Sequence, residues 1–353
     1  MINLLIKTKS TKYYFMFLRF FLNPVYNFFW VNFINLQGRI YFFLWKILNK
    51  STSDYKNSDN NSKFIVENDQ EILNLTEKIN SEINNEIIEK NEKLILEGET
   101  GARSSTQNIH RKKNSNYTKL IMDDISEETK KDILNFASSP KVLNTVMKYL
   151  GVFPILSRAN LSLNIPRENA VERGAMLWHK DDFGYKSFDL VVFLTDVNDE
   201  NAPFYTIKDE NNLGPFYKIK NCIKDPQPGE RGKVTLEEFE KIYSKEKILK
   251  FEGKKGKAIF VDSFTNYHRG GFCKSKNRVK LRLEYTTIDS LTVNKMKPMK
   301  EFYNFISNSE KKNFKDRFFL NYLLFKRSKL FENLKIPKIL MYIYRIFHFK
   351  HES

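Results

Sequence analysis

The chain has 353 residues, 41% hydrophobic and 29% charged, a composition that fits one large globular domain with extensions, or two domains, and excludes a disordered chain. Its formal net charge of +17 belongs to the ends: residues 1–50 carry seven Lys/Arg and no acid, residues 311–353 carry eleven against three, and 51–310 are nearly balanced. Nucleic-acid recognition needs a basic stripe on a folded domain or a recognisable module, and the sequence offers neither, so nucleic acid is not an expected partner.

In chain order, residues 1–50 form a basic, aromatic N-terminal extension. It lacks the compact apolar core of a cleaved signal peptide. The uncharged stretch from Arg19 to Arg39 is broken by Asn23, Pro24, Asn27, Asn32, Asn35 and Gln37, whereas a span needs about 20 mostly apolar residues, so attachment to a membrane surface is expected over crossing it. Residues 51–118 read as a polar linker ("STSDYKNSDNNSK") followed by an amphipathic helix with Ile72, Leu75, Ile79, Ile83 and Ile87 on one face. "GETGARSS" (98–105) lacks the spacing and the Gly-Lys-Ser/Thr ending of a phosphate loop. Asp124 with Glu127 predicts a capping box for a helix ending near Ala137, and Ser139-Pro140 an N-cap and first turn for a helix ending at "KYLG".

After Gly151 the period changes to two. "ANLSLNIP" (159–166), "FDLVVFLTDV" (188–197), "KAIFVD" (257–262) and "RVKLRLEYTTI" (278–288) read as strands. Among them "TLEEFEKIYSKEK" (235–247) reads as an inserted helix, with Thr235 and Glu238 as its capping box. Helices first and then strands without regular alternation predict a mainly β fold with flanking helices, a barrel or sandwich, and not a doubly wound sheet. Residues 311–353 form a basic, aromatic C-terminal tail whose "RFFLNYLLFKRSK" interleaves charge with Phe, Tyr and Leu as interfacial helices do. The tails therefore predict an anionic membrane surface as a partner, with packing on the core as the competing expectation. A non-catalytic basic protein docked on such a surface is the alternative to an enzyme. Cys222 and Cys273 are too few for a disulfide framework, which points to a reducing, cytoplasmic setting, peripheral on the inner face of a membrane if the tails attach.

The chemistry concentrates in two segments. In "AMLWHKDDFGYKSFDLVVFLTDV" (175–197), His179 has a carboxylate two residues on, Asp181, at the lip of an apolar strand. On extended backbone that spacing projects both side chains to one side. Asp182 would point the opposite way and reads as a turn cap. His268, in "GKAIFVDSFTNYHRGGF", is the other interior histidine near a strand end. Two histidines and one carboxylate with open positions suit a non-haem Fe(II) oxygenase. The strand 278–288 is apolar at Val279, Leu281, Leu283 and Tyr285 and charged at Arg278, Lys280, Arg282 and Glu284. Such a face is either solvated or turned into a barrel mouth, where an arginine fork holds a dicarboxylate. Asn160, Ser162 and Asn164 alternate with apolar residues and have the same two readings. Trp178 reads as core or pocket wall, and Tyr205 and Tyr267 are candidate pocket residues by proximity.

Together, "WHKD", "FDLVVFLTDVNDENAPF", "GKAIFVDSFTNYHRGG" and the arginine after it resemble the phytanoyl-CoA dioxygenase-like branch of the Fe(II)/2-oxoglutarate-dependent oxygenases, over about residues 120–290. The resemblance implies a double-stranded β-helix (jelly-roll, cupin-like) core, here residues 119–310. It also implies iron bound by His179, Asp181 and His268, 2-oxoglutarate and O₂ as co-substrates, and hydroxylation of a small-molecule or lipid-like substrate. By position Arg278 would bind the distal carboxylate of 2-oxoglutarate, with Arg282 the neighbouring candidate. The turn "NAPF" (201–204) departs from the family pattern, in which glycine precedes the proline, and "TIKDENN" replaces the commoner Pro-Gly-Ser-His.

Overall fold

A computed structural model describes residues 35–49, 53–55, 63–97, 118–166, 174–179, 181, 187–207, 233–241, 243–263, 266–287, 302 and 314–324. The 98–105 motif, Asp182, Cys222 and most of both tails lie outside the described residues.

Six strands make the larger sheet: β1 (Lys63–Val66), β2 (Thr118–Leu120), β3 (Ile155–Asn164), β4 (Ser187–Phe193), β7 (Ala258–Val261) and β9 (Arg278–Thr286), in the order β1-β7-β4-β9-β3-β2. A smaller sheet orders β6 (Ile248–Phe251), β5 (Phe204–Ile207) and β8 (His268–Gly270). All these pairings are antiparallel. Alternation along β9 explains the layering. Val279, Leu281, Leu283 and Tyr285 enter the main hydrophobic core, where the Tyr285 hydroxyl donates to the Ala137 carbonyl at 2.8 Å. The opposite face of the sheet meets the smaller one: Val191, Phe193 and Ile259 pack with Phe204, Leu249 and Phe251.

Helices cover the outer face. They are α1 (Leu36–Leu48), α2 (Gln70–Glu82), α3 (Asn85–Glu97), α4 (Glu127–Ala137) and α5 (Pro140–Leu150), with α6 (Leu236–Glu240) near the small sheet and α7 (Phe314–Leu323) beside α1. The stripe Ile72, Leu75, Ile79 and Ile83 is buried as its spacing predicts, but the helix breaks before Asn84 and a second begins, leaving Ile87 only half-buried. The Asn84 side chain caps the new helix by accepting from the Ile87 amide at 2.9 Å.

Two further sequence expectations need correcting. The N-cap of α4 is Ser126, which accepts from the Thr129 amide; Asp124 lies in a preceding 3₁₀ turn and pairs with Lys90 at 2.9 Å. The 51–63 segment is not all solvated linker, because Tyr55 is buried and its amide donates to the Thr145 hydroxyl. The N-caps at Ser139 and Thr235 are as expected. Ser139 and Pro140 start α5, and Gly151 ends it at φ +75°, a conformation glycine adopts without a Cβ clash. Thr235 caps α6, which is shorter than the sequence pattern suggests. The short strands β1, β2, β5, β6 and β8 had no reading in the sequence.

Candidate metal centre

His179 and His268 are brought together by backbone pairing. Each donates its amide to the other's carbonyl, at 3.0 and 2.9 Å, in an isolated antiparallel bridge. Asp181 is fixed by its amide, which donates to the Ser263 carbonyl at 2.9 Å. His179 and Asp181 thus face a common point, and β8 delivers His268 to it.

The resulting geometry is that of an open ligand set. Asp181 Oδ1 lies 3.6 Å from His179 Nε2 and Oδ2 lies 3.7 Å from His268 Nε2, longer than direct hydrogen bonds. One ligand atom from each residue falls within 4.8 Å of the others, so all three lie within about 2.8 Å of one point, slightly beyond typical metal–ligand lengths of about 2.0–2.2 Å. Both imidazoles turn Nδ1 toward a backbone carbonyl, Leu177 O at 2.7 Å and Asn266 O at 3.2 Å. That fixes the Nδ1–H tautomer and leaves the Nε2 lone pairs facing Asp181.

Electrostatics prepares the same state. Burial depresses both histidines, His268 to about 3, so the imidazoles are neutral at ordinary pH. For Asp181, burial alone works against ionisation. The facing His268 side chain and the Arg282 guanidinium outweigh it and hold the carboxyl well below the usual range. A buried carboxylate and two neutral imidazoles are the protonation states a divalent metal requires.

Arg282 stands behind the carboxylate. Its guanidinium donates to Asp181 Oδ2 at 2.8 Å and to Asp189 Oδ2 at 2.6 Å, and it lies 3.4 Å from Glu284 Oε2. Burial raises Asp189 to about 7, opposed by Arg282. Arg278 is buried four positions earlier on the same face. It donates to Asn164 Oδ1 at 3.1 Å and to the Ala202 carbonyl, while its Nε–H has no hydrogen-bond partner among the described residues. The charged face of β9 is therefore turned inward, and Asn160, Ser162 and Asn164 stand directly across from Arg282, Lys280 and Arg278 on β3. Phe204 stacks on the His268 ring at 5.7 Å. Trp178 and Tyr267 are buried with Phe239 and Tyr243 in a separate cluster, and Tyr205 is half-buried beneath Arg269.

Sequence reasoning missed Asp189. It sits inside an apolar run, "FDLVVF", where a lone acid is itself the signal, because a buried carboxylate needs a partner. It also missed the consequence of "NAPF". Ala202 adopts φ +63°, a strained conformation for a residue with a Cβ, and its carbonyl is the one Arg278 holds. Gly271 of "HRGG" donates its amide to the Pro203 carbonyl at 2.7 Å, and a Cβ there would meet that oxygen at 2.9 Å. Only glycine fits.

No family model matches this chain, and no curated protein matches it in sequence. Among solved structures it is similar to SnoK, a non-heme alpha ketoglutarate dependent carbocyclase from nogalamycin biosynthesis. The identity is 11% and the TM-score 0.40, over 70% of this chain and 94% of that one. It is also similar to the epimerase SnoN in complex with Fe3+, alpha ketoglutarate and nogalamycin RO, at 12% identity and TM-score 0.39, over 65% of this chain and 81% of that one. A third is EctD from S. alaskensis with 2-oxoglutarate and 5-hydroxyectoine, at 14% identity and TM-score 0.39, over 67% and 79%. Likenesses of this size fix neither family nor activity, and the functional reading rests on the residues above.

Proposed function

We propose that this protein is an Fe(II)/2-oxoglutarate-dependent oxygenase of the phytanoyl-CoA dioxygenase-like kind, with a double-stranded β-helix core. The observation that carries the reading is the convergence of His179, Asp181 and His268, buried and in metal-ready protonation states, between two antiparallel sheets. These three residues would hold iron. The donor set fits it, since two imidazoles and one carboxylate suit a borderline divalent ion and leave positions open. Iron with 2-oxoglutarate would supply there the oxidation of a substrate C–H bond by O₂, with 2-oxoglutarate converted to succinate and CO₂.

The chain's own residues supply the rest. Leu177 O and Asn266 O orient the imidazoles, and Arg282 steadies the Asp181 carboxylate. Arg278, with a buried N–H left over, is placed to take the distal carboxylate of 2-oxoglutarate. Val191, Phe193, Ile259 and Phe204 form a buried apolar cluster whose Phe204 stacks on the His268 ring, surroundings that would exclude water and suit a small-molecule or lipid-like substrate.

The test is succinate release from 2-oxoglutarate in the presence of a metabolite panel. It should require added Fe(II) and O₂ and fall to background in His179→Ala and His268→Ala variants that melt like the wild type. Fe(II)-independent turnover, or full turnover without either histidine, would end the proposal.

A membrane surface as a further partner has its own support. Five of the seven large hydrophobics exposed among the described residues, Leu36, Ile40, Phe43, Ile47 and Leu48, lie on α1 beside exposed Arg39 and Lys46. We infer that this face docks on anionic lipid, a reading decided by liposome flotation. Among the described residues no helix is long and apolar enough to cross a membrane.

A further inference from the structure

Along the inward face of β9 the three cations differ in what balances them. Arg282 is met by Asp181, Asp189 and Glu284. Among the described residues Arg278 touches only neutral acceptors, the Ala202 carbonyl and Asn164 Oδ1, and keeps an orphaned Nε–H. The Lys280 ammonium, between them, has no hydrogen bond or ion pair among the described residues, although the residue is half-buried on an interior strand of the sheet. The acid whose charge reaches it, Asp189, is already engaged by Arg282. Its cross-strand neighbours are Ser162 on β3 and Phe193 on β4, neither of them an anion.

Two desolvated cations side by side without a counter-anion cost free energy, and folded proteins keep such an arrangement where an anionic ligand completes it. Adjacent same-face residues on a strand lie about 7 Å apart, a gap that two long side chains close easily around one carboxylate. We infer that Lys280 joins Arg278 in a two-cation seat for one carboxylate, the distal carboxylate of the 2-oxo dicarboxylate. Arg278 presents a planar fork, and Lys280 adds a point charge from the next same-face position. The seat makes the site selective for dicarboxylates over 2-oxo monocarboxylates of similar length. The lysine's depressed pKa, caused by burial and then by the two flanking guanidiniums, agrees with a cation that lacks its anion.

This inference rests on the oxygenase reading. Its test is equilibrium binding by calorimetry, with full-length protein and Fe(II) under argon, of 2-oxoglutarate and of 2-oxobutyrate, which lacks the distal carboxylate. Lys280→Met should weaken 2-oxoglutarate about 10- to 100-fold, the range of a charge-assisted hydrogen bond, and leave 2-oxobutyrate unchanged. Lys280→Arg should recover most of the loss. The Lys280→Met melting temperature should not fall, since the change removes a poorly solvated charge. Undiminished 2-oxoglutarate binding by Lys280→Met, or equal weakening of both ligands, would overturn the two-cation seat alone. Wild-type protein that binds neither ligand would overturn the oxygenase reading with it.

Discussion

His268 shows how a single residue can carry both structure and, in the proposed site, chemistry. Its backbone closes the bridge to His179, its Nδ1 is occupied by Asn266 O, and burial leaves its Nε2 unprotonated. The cost appears in the metal-free protein. With a folded pKa of about 3 against about 6.5 for the unfolded chain, the unfolded state binds the proton first as pH falls. Stability contributed by neutral burial of His268 is therefore intact above about pH 6.5 and is lost progressively toward pH 3. Thermal melts of metal-free protein across that window should show this slope. His268→Gln should flatten it by up to about one proton, or about 1.4 kcal/mol per pH unit. An identical slope in the variant would show that His268 is not buried neutral.

On β9 the same alternation serves two ends, and its two arginines separate cleanly by partner. Arg282 is tied to three acids, and removing it leaves buried carboxylates uncompensated. Arg282→Ala should therefore cost about 3–5 kcal/mol in stability, read as a fall in denaturant midpoint. Arg278 has only neutral partners, so Arg278→Ala should raise the 2-oxoglutarate requirement far more than Arg282→Ala does, when folded fractions are matched. The reverse ranking would move the co-substrate to Arg282 and leave the metal centre where it is. The element scale also explains the half-legible helices. The stripe from Ile72 to Ile83 announces burial, but the break at Asn84 is a competition between helix continuation and an Asn side chain that caps the next turn.

At the scale of the molecule, the described parts of both tails join the main core from outside. Tyr41 on α1 stacks between Phe318 and Tyr322 of α7, with centroids at 4.5 and 4.1 Å, and Trp45 meets Phe319 edge-on at 4.8 Å. Gly38 permits the approach, since a Cβ there would meet the Tyr322 hydroxyl at 3.0 Å. The inner aromatics of α1 are thus core, and its outer stripe is exposed beside Arg39 and Lys46. Full-length protein should float with anionic but not neutral liposomes and be released by salt, because surface attraction is screened. Phe43→Ser with Ile47→Ser should weaken flotation without lowering the melting temperature. Protein that stays in the dense fraction at low salt would remove the membrane from the account.

What the sequence determined by itself is what depends on near neighbours or on period. The caps at Ser139 and Thr235, the left-handed Gly151, the strands β3, β4, β7 and β9, and the His179–Asp181 pair follow from chemistry within a few residues. His268 and Arg278 were legible as candidates because each stands at the edge of an apolar alternation. Tertiary structure alone decided which way the charged face of β9 turns, since period two separates two faces without saying which is buried. It also decided that Asp189 pairs with Arg282, that Ala202 gives its carbonyl to Arg278, and that Lys280 is left without an anion. Those are contacts between residues tens of positions apart. Their energies come from burial and from the low dielectric between the sheets, and both exist only once the two sheets have packed.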